Sequence, residues 1–273
     1  MKKSSFRDIF IISLAKASEK LRKHKKKEAY LILKELARNI DKLENLNEKL
    51  IFALEIATLL ISLDKVSEAR DFLSSVIGKI DLESQNENIL RIVARLKAEI
   101  IKLSLMIGET PEDLLEETYR MYKKLVNDPQ SYVEFLSFIV AIYSKAKKEK
   151  GFYASLKQIL IEAINLADNF KITEIQHDFH PYVAEALILL AELEFETNEL
   201  ENALRHLFQA LNIYILLGSE EETLNIVYAI SDLLLRYRGK DAVVRFLNDV
   251  LKLDASENFK TQIKNKINKL IQN

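Results

Sequence analysis

Eight residues constrain this chain more than any others: five glycines and three prolines in 273 positions. So few breakers leave little room for many strands and tight turns. Their placement adds to their scarcity. Gly108, Gly151, Gly218 and Gly239 each fall between segments of helical apolar spacing, and Gly78 lies near the end of one. Pro111, Pro129 and Pro181 each follow a polar residue at a helix start, where a missing N–H costs nothing. The chain therefore reads as all-α.

Residues 180–218 show the pattern most plainly. After Pro181, the residues Val183, Ala184, Leu187, Leu190, Ala191 and Phe195 recur at spacings that place them on one helical face. Thr197, Asn198 and Glu199 interrupt the run. A second segment carries Leu200, Ala203, Leu204, Leu207, Phe208, Ala210, Leu211 and Tyr214, and ends at Gly218. Two antiparallel helices joined by a very short turn follow, with Ala191 and Ala203 at the close approach of the backbones.

Here the sequence resembles the tetratricopeptide repeat family. Leu187, Leu190, Ala191, Ala203 and Leu207 match the family's small and aliphatic positions. Glu194 stands where an aromatic is expected, and Ile215 where the consensus has proline. Ala53, Ile56, Ala57, Leu60, Ala69 and Leu73 form a second match; Ala17, Ala29 and Leu33 form a weaker third. Comparable second-helix positions are Ala29, Ala69, Leu115, Leu156, Ala203 and Ala242, at spacings of 39 to 47 residues. These exceed the ~34 of the consensus, so other α-solenoids stay compatible. The resemblance implies one domain over residues 1–273. It would be a right-handed superhelical solenoid of about six antiparallel helix pairs, with a lysine-rich C-terminal capping helix around Phe259, Ile263 and Ile267.

Helix starts are expected at Ser5 with Asp8, Thr110-Pro111-Glu112-Asp113, Asp128-Pro129, and Ser219 with Glu222 in capping-box spacing. Asn169 to His180 is the longest loop.

Charge limits the function. Forty basic and 41 acidic residues give a net charge of −1, which disfavours binding to nucleic acid or membrane surfaces through overall charge. With no cysteine, disulfides and thiol chemistry are excluded. The N-terminal apolar run is broken by Arg7 and Asp8 and does not read as a signal peptide. No run approaches the ~20 residues of a membrane span, and a cytoplasmic location is expected.

Four clusters could carry chemistry. His177, Asp178 and His180 are zinc-type ligands, yet His180 precedes proline and no third histidine is near; a polar loop with no metal is expected. Lys20, Arg22, Lys23, Lys25, Lys26 and Lys27 could meet phosphates, but no aromatic interleaves them. A nucleic-acid-associated regulator using Lys20–Lys27 is the alternative reading. Glu192, Glu194, Glu196, Glu199 and Glu201 read as a solvated acidic face. Tyr119, Tyr122, Tyr132, Phe135, Phe138, Tyr143, Phe152 and Tyr153 gather eight of the 23 aromatics into 35 residues; core packing explains them.

Phosphate loops, nucleophile elbows and metal-protease motifs are missing. The expected protein is a non-enzymatic scaffold without cofactor. Its partner would be a peptide or helix of another protein, with homo-oligomerisation through an uncapped end as a further option. The resemblance implies that first helices line a concave groove. Projecting its positions gives Ile51, Leu54, Thr58 and Ile61 in one repeat, and Glu185, Ile188, Glu192 and Phe195 in another. None is Lys, Arg or Asn, so the family's clamp for a peptide carboxylate is not expected there.

Overall fold

The computed structural model describes residues 6–146 and 153–272, with side chains described outside 143–154. Among these residues there are thirteen α-helices and no strand. They are α1 Phe6–Arg22, α2 Lys26–Asn39, α3 Leu46–Ile61, α4 Val66–Ile77, α5 Glu87–Met106, α6 Glu112–Leu125, α7 Pro129–Ala146, α8 Tyr153–Leu166, α9 His180–Glu196, α10 Leu200–Leu217, α11 Glu220–Arg238, α12 Lys240–Val250 and α13 Glu257–Gln272. The Ser5 cap and the Gly151 break fall outside the described residues, as do the Tyr143, Phe152 and Tyr153 side chains.

The chain gathers into two compact units, residues 1–126 with 144–149 and residues 127–143 with 150–273. In the first, α1 to α6 pack in sequence order, each on the next. In the second, α8 to α13 do the same. Neighbours in sequence are neighbours in space because each short turn reverses the chain.

One triplet of second-helix residues recurs with every described pair. A buried residue is followed four and seven positions later by two more: Ala29, Leu33, Leu36; Ala69, Leu73, Val76; Leu115, Tyr119, Tyr122; Leu156, Leu160, Ala163; Ala203, Leu207, Ala210; and Val243, Leu247, Val250. This is one helical stripe facing the partner helices. It corrects the expected register at its last member. Ala242 is only half-buried, whereas Val243 is fully enclosed. Because α12 starts directly after Gly239, its helical phase turns Val243 inward.

The turns inside the pairs share a mechanism. His24, Asp64 and Asn198 have φ of 57°, 62° and 63°, and each lies five residues before Ala29, Ala69 or Ala203. The following amides reach back to complete the helix end: Lys25 N to Lys20 O at 2.9 Å, Lys65 N to Leu60 O at 3.0 Å, Glu199 N to Glu194 O at 2.6 Å. These are left-handed C-terminal caps of the Schellman type, which satisfy carbonyls the helix leaves open. Gly218, at φ 71°, ends α10 in the same way, as its position predicts.

N-terminal caps agree in part with expectation. Asp128 Oδ1 accepts from Ser131 N at 2.7 Å, and Asn45 and Asn86 cap α3 and α5. Ser219 precedes α11, but its side chain makes no cap bond. Instead the Thr223 hydroxyl donates to Ser219 O at 2.7 Å. Nor does α6 use Thr110: Pro111 is its N-cap, without a side-chain bond.

Candidate functional site

The eight projected groove residues fall in separate units. On α3, Ile51 and Thr58 are exposed and Leu54 and Ile61 half-buried. The Thr58 hydroxyl donates back to Leu54 O at 2.9 Å. On α9, Glu185 is exposed and Ile188, Glu192 and Phe195 are half-buried. The opposite face of α9 holds Val183, Leu187, Leu190 and Ala191 in the core. Ile188 and Phe195 are therefore apolar groups on the outer side of a helix that has already buried its inner one.

Two cation–ring contacts continue this outer face of the second unit. The Arg236 guanidinium lies 5.4 Å from the Phe195 ring centroid. Lys266 Nζ lies 4.5 Å from the Tyr228 ring and 3.0 Å from Asp232 Oδ1. Such contacts combine an apolar platform with a charged rim. Although Glu185 is exposed as a residue, partial loss of hydration at its carboxyl pushes it above the ordinary carboxylate range. Burial, reinforced by Glu185 and Glu222, pushes the Tyr214 hydroxyl up to about 12. Sequence reading missed Arg236, Tyr228 and Lys266. Their spacing on α11 and α13 marked them only as outward-facing.

The acidic cluster needs correction. Glu194 is not solvated: it is 2% exposed, and its Oε2 lies 2.6 Å from His206 Nδ1. Lys157 Nζ on α8 lies 3.9 Å from Glu194 Oε1 and 2.5 Å from Glu199 Oε1. The hairpin turn brings residues 194 and 206 opposite each other. The equivalent positions are Leu60 and Phe72 in the α3/α4 pair, and Leu234 and Phe246 in the α11/α12 pair. A polar pair thus occupies a site that is apolar at both positions in those two pairs, whereas α1/α2 has Lys20 and Ile32 there and α5/α6 has Met106 and Thr118.

The other clusters resolve locally. His180 Nδ1 accepts from Gln176 N at 2.9 Å, while His177 and Asp178 are exposed. Phe179 is buried, with its ring 5.0 Å from Tyr132 and 6.3 Å from Phe170. The Tyr132 hydroxyl donates to Ala163 O at 2.7 Å. Of the basic run, Lys20 pairs with Glu28, Lys23 with Glu19, Lys25 with Glu28 and Lys26 with Asp64. That acidic interleaving lowers the local positive potential a phosphate backbone would meet. No helix among the described residues is long and apolar enough to cross a membrane.

Solved structures share this fold. One is a signal transduction ATPase with numerous domains from Pyrococcus horikoshii, which carries a tetratricopeptide repeat sensor. It aligns at a TM-score of 0.57 with 12% identity, over 94% of this chain and 39% of that one. The chain thus spans well under half of that ATPase. The apo form of RapI aligns at 0.50 with 12% identity, over 96% of both chains. The fold is a tetratricopeptide-repeat-like α-solenoid. No family model matches the sequence, and no curated protein matches it.

Proposed function

We propose that the chain is a non-enzymatic interaction scaffold that binds a peptide or helix of another protein across the first helices. In the second unit the anchors are Ile188 and Phe195, flanked by Glu185 and Glu192. In the first unit Ile51, Leu54, Thr58 and Ile61 form a more apolar patch. The observation that carries the reading is Phe195: a half-buried aromatic on the outer side of α9, with Arg236 over its ring. Large rings with a charged neighbour are typical binding anchors. The same fold serves as a sensor within the Pyrococcus ATPase, which is consistent with recognition rather than catalysis.

The test is affinity capture from native lysate, read by mass spectrometry, with the wild-type chain and an Ile188→Lys/Phe195→Glu variant. Both substitutions face outward, so far-ultraviolet circular dichroism should be unchanged. Specific partners should disappear from the variant. An identical partner set on both baits would refute this face as the binding site.

A further inference from the structure

Successive second helices leave a groove between them, and its register repeats. Counted from the first buried residue of each triplet, one helix contributes positions 5, 8, 9 and 12 further on. The next helix contributes positions 3, 6 and 10. Between α8 and α10 these include Ile161, Asp168 and His206. Between α10 and α12 they include Phe208, Ile215, Phe246 and Leu253. In the first unit, the positions corresponding to Ile215 and Leu253 are Asp41 and Lys79, which bridge at 2.5 Å. A groove here is a by-product of stacking, so the cavity alone signifies nothing. The lining is what distinguishes the α10/α12 instance.

There both positions are aliphatic, whereas α2/α4 has the Asp41–Lys79 pair and α8/α10 has Asp168 with Ile213, and the cavity of about 540 Å³ opens to solvent. Phe208 is 38% exposed, so it is not the core residue its spacing suggested. Its ring meets Phe246 edge-to-face at 5.6 Å. The rim is basic. Arg245 is exposed and has no ion-pair partner among the described residues. Arg238 lies 5.6 Å from the Tyr237 ring and, among the described residues, has Glu201 as its one ion-pair partner, at 3.8 Å. The single acid of the lining, Asp249, is held by Lys252 at 2.6 Å. An apolar cleft with convergent cations fits an anionic ligand that carries bulky apolar groups.

We propose that the α10/α12 groove is a second docking site, for an acidic peptide segment of another protein. One bulky apolar side chain of the segment would sit against Phe208 and Phe246, and its carboxylates would meet Arg238 and Arg245. The site is separate from the α9 face.

The probe is a phage-displayed library of random dodecapeptides, panned on the immobilised full chain. Bound phage are tested against the wild type, Arg245→Glu, Phe208→Ser and Ile188→Lys/Phe195→Glu. Arg245 and Phe208 are exposed, so their variants should keep wild-type helicity and thermal midpoint. The expected result is an enriched pool rich in Asp and Glu with one Leu, Phe or Trp. A labelled member of that pool should bind at least tenfold more weakly to the Arg245 and Phe208 variants, and unchanged to the α9 variant. Three results overturn the proposal: no enrichment, a pool without acidic bias, or binding equal in wild type and Arg245→Glu. A dimer seen by light scattering and lost in Arg245→Glu also overturns it, assigning the groove to a second copy of the chain. Loss of binding only in the α9 variant would support the first site and refute this one.

Discussion

The Glu194–His206 pair makes the sharpest energetic claim. Glu194 is 2% exposed and the His206 side chain 14%. Substituting His206 by Ala leaves the carboxylate buried, with Lys157 Nζ 3.9 Å from its Oε1. Breaking a buried ionic or hydrogen-bonded pair from one side costs about 3–5 kcal/mol. Water can enter from the partly open His206 side, so the lower end applies, about 3 kcal/mol. Glu194→Leu strands the less buried partner and should cost about 1–2 kcal/mol.

The double variant Glu194→Leu/His206→Phe installs the residues that stand at Leu60 and Phe72, and at Leu234 and Phe246. With no polar atom left unsatisfied, it should be near neutral or more stable than wild type. With His206→Phe as the matching single, which strands the carboxylate as His206→Ala does, the cycle gives a coupling of about 4–5 kcal/mol. Guanidinium denaturation by circular dichroism measures the overall loss. With two compact units in the chain, amide hydrogen exchange over α9 and α10 reads the local one. A His206→Ala cost below about 1 kcal/mol refutes the reasoning. So does a double variant as unstable as His206→Ala.

Three further outcomes follow from the repeat. Ala203→Leu should cost about 2–3 kcal/mol by overpacking the α9/α10 crossing, while Ala242→Leu should cost well under half of that; thermal midpoints distinguish them. His24→Gly should gain about 0.5 kcal/mol, because glycine removes the strain of a left-handed residue but adds unfolded-state entropy; denaturant midpoints measure it. Lys157, with Asn202 and Thr197, depresses the Glu199 pKa below 4.5. The resulting stability is present above that value and lost as pH falls through the lower folded pKa. Lys157→Met should therefore flatten the acid limb of stability below pH 4.5, measured by denaturation between pH 3 and 6, and leave neutral-pH slopes unchanged.

The helices and their pairing were legible because a 3.6-residue apolar period survives in every segment and the breakers lie between segments. Pro181, Gly218 and the small residues Ala191 and Ala203 all stand where local rules put them. What escaped was set by contacts across a turn. Glu194 reads as surface among Glu192, Glu196 and Glu199, and only its position opposite His206 reveals a buried pair. The clue was present as arithmetic: 194 and 206 are as far apart as 60 and 72, or 234 and 246. Ala242 matches Ala29, Ala69 and Ala203 as a residue type, but helical phase decides inwardness, and that phase starts at Gly239. Phe208 and Phe246 fit the apolar stripe by spacing, yet α12 covers Phe208 only through the edge of Phe246 and leaves it 38% exposed.

A repeat supplies its own reference state, and that makes departures from it interpretable. Between α2 and α4, the exposed Asp41 and Lys79 form an ion pair at the end of the second-helix interface, an arrangement worth little in stability. Ile215 and Leu253 stand at the same places and leave the groove open. Exposed aromatic surface adds less to folding than buried surface and adds a risk of aggregation. Installing that ion pair at the aliphatic end tests whether the open apolar surface serves binding. Ile215→Asp/Leu253→Lys is therefore the informative substitution. Because both residues are only half-buried, it should keep the helicity and lower the thermal midpoint only slightly, while abolishing capture of acidic peptides by the groove. Retained capture would show that binding does not depend on the open apolar end.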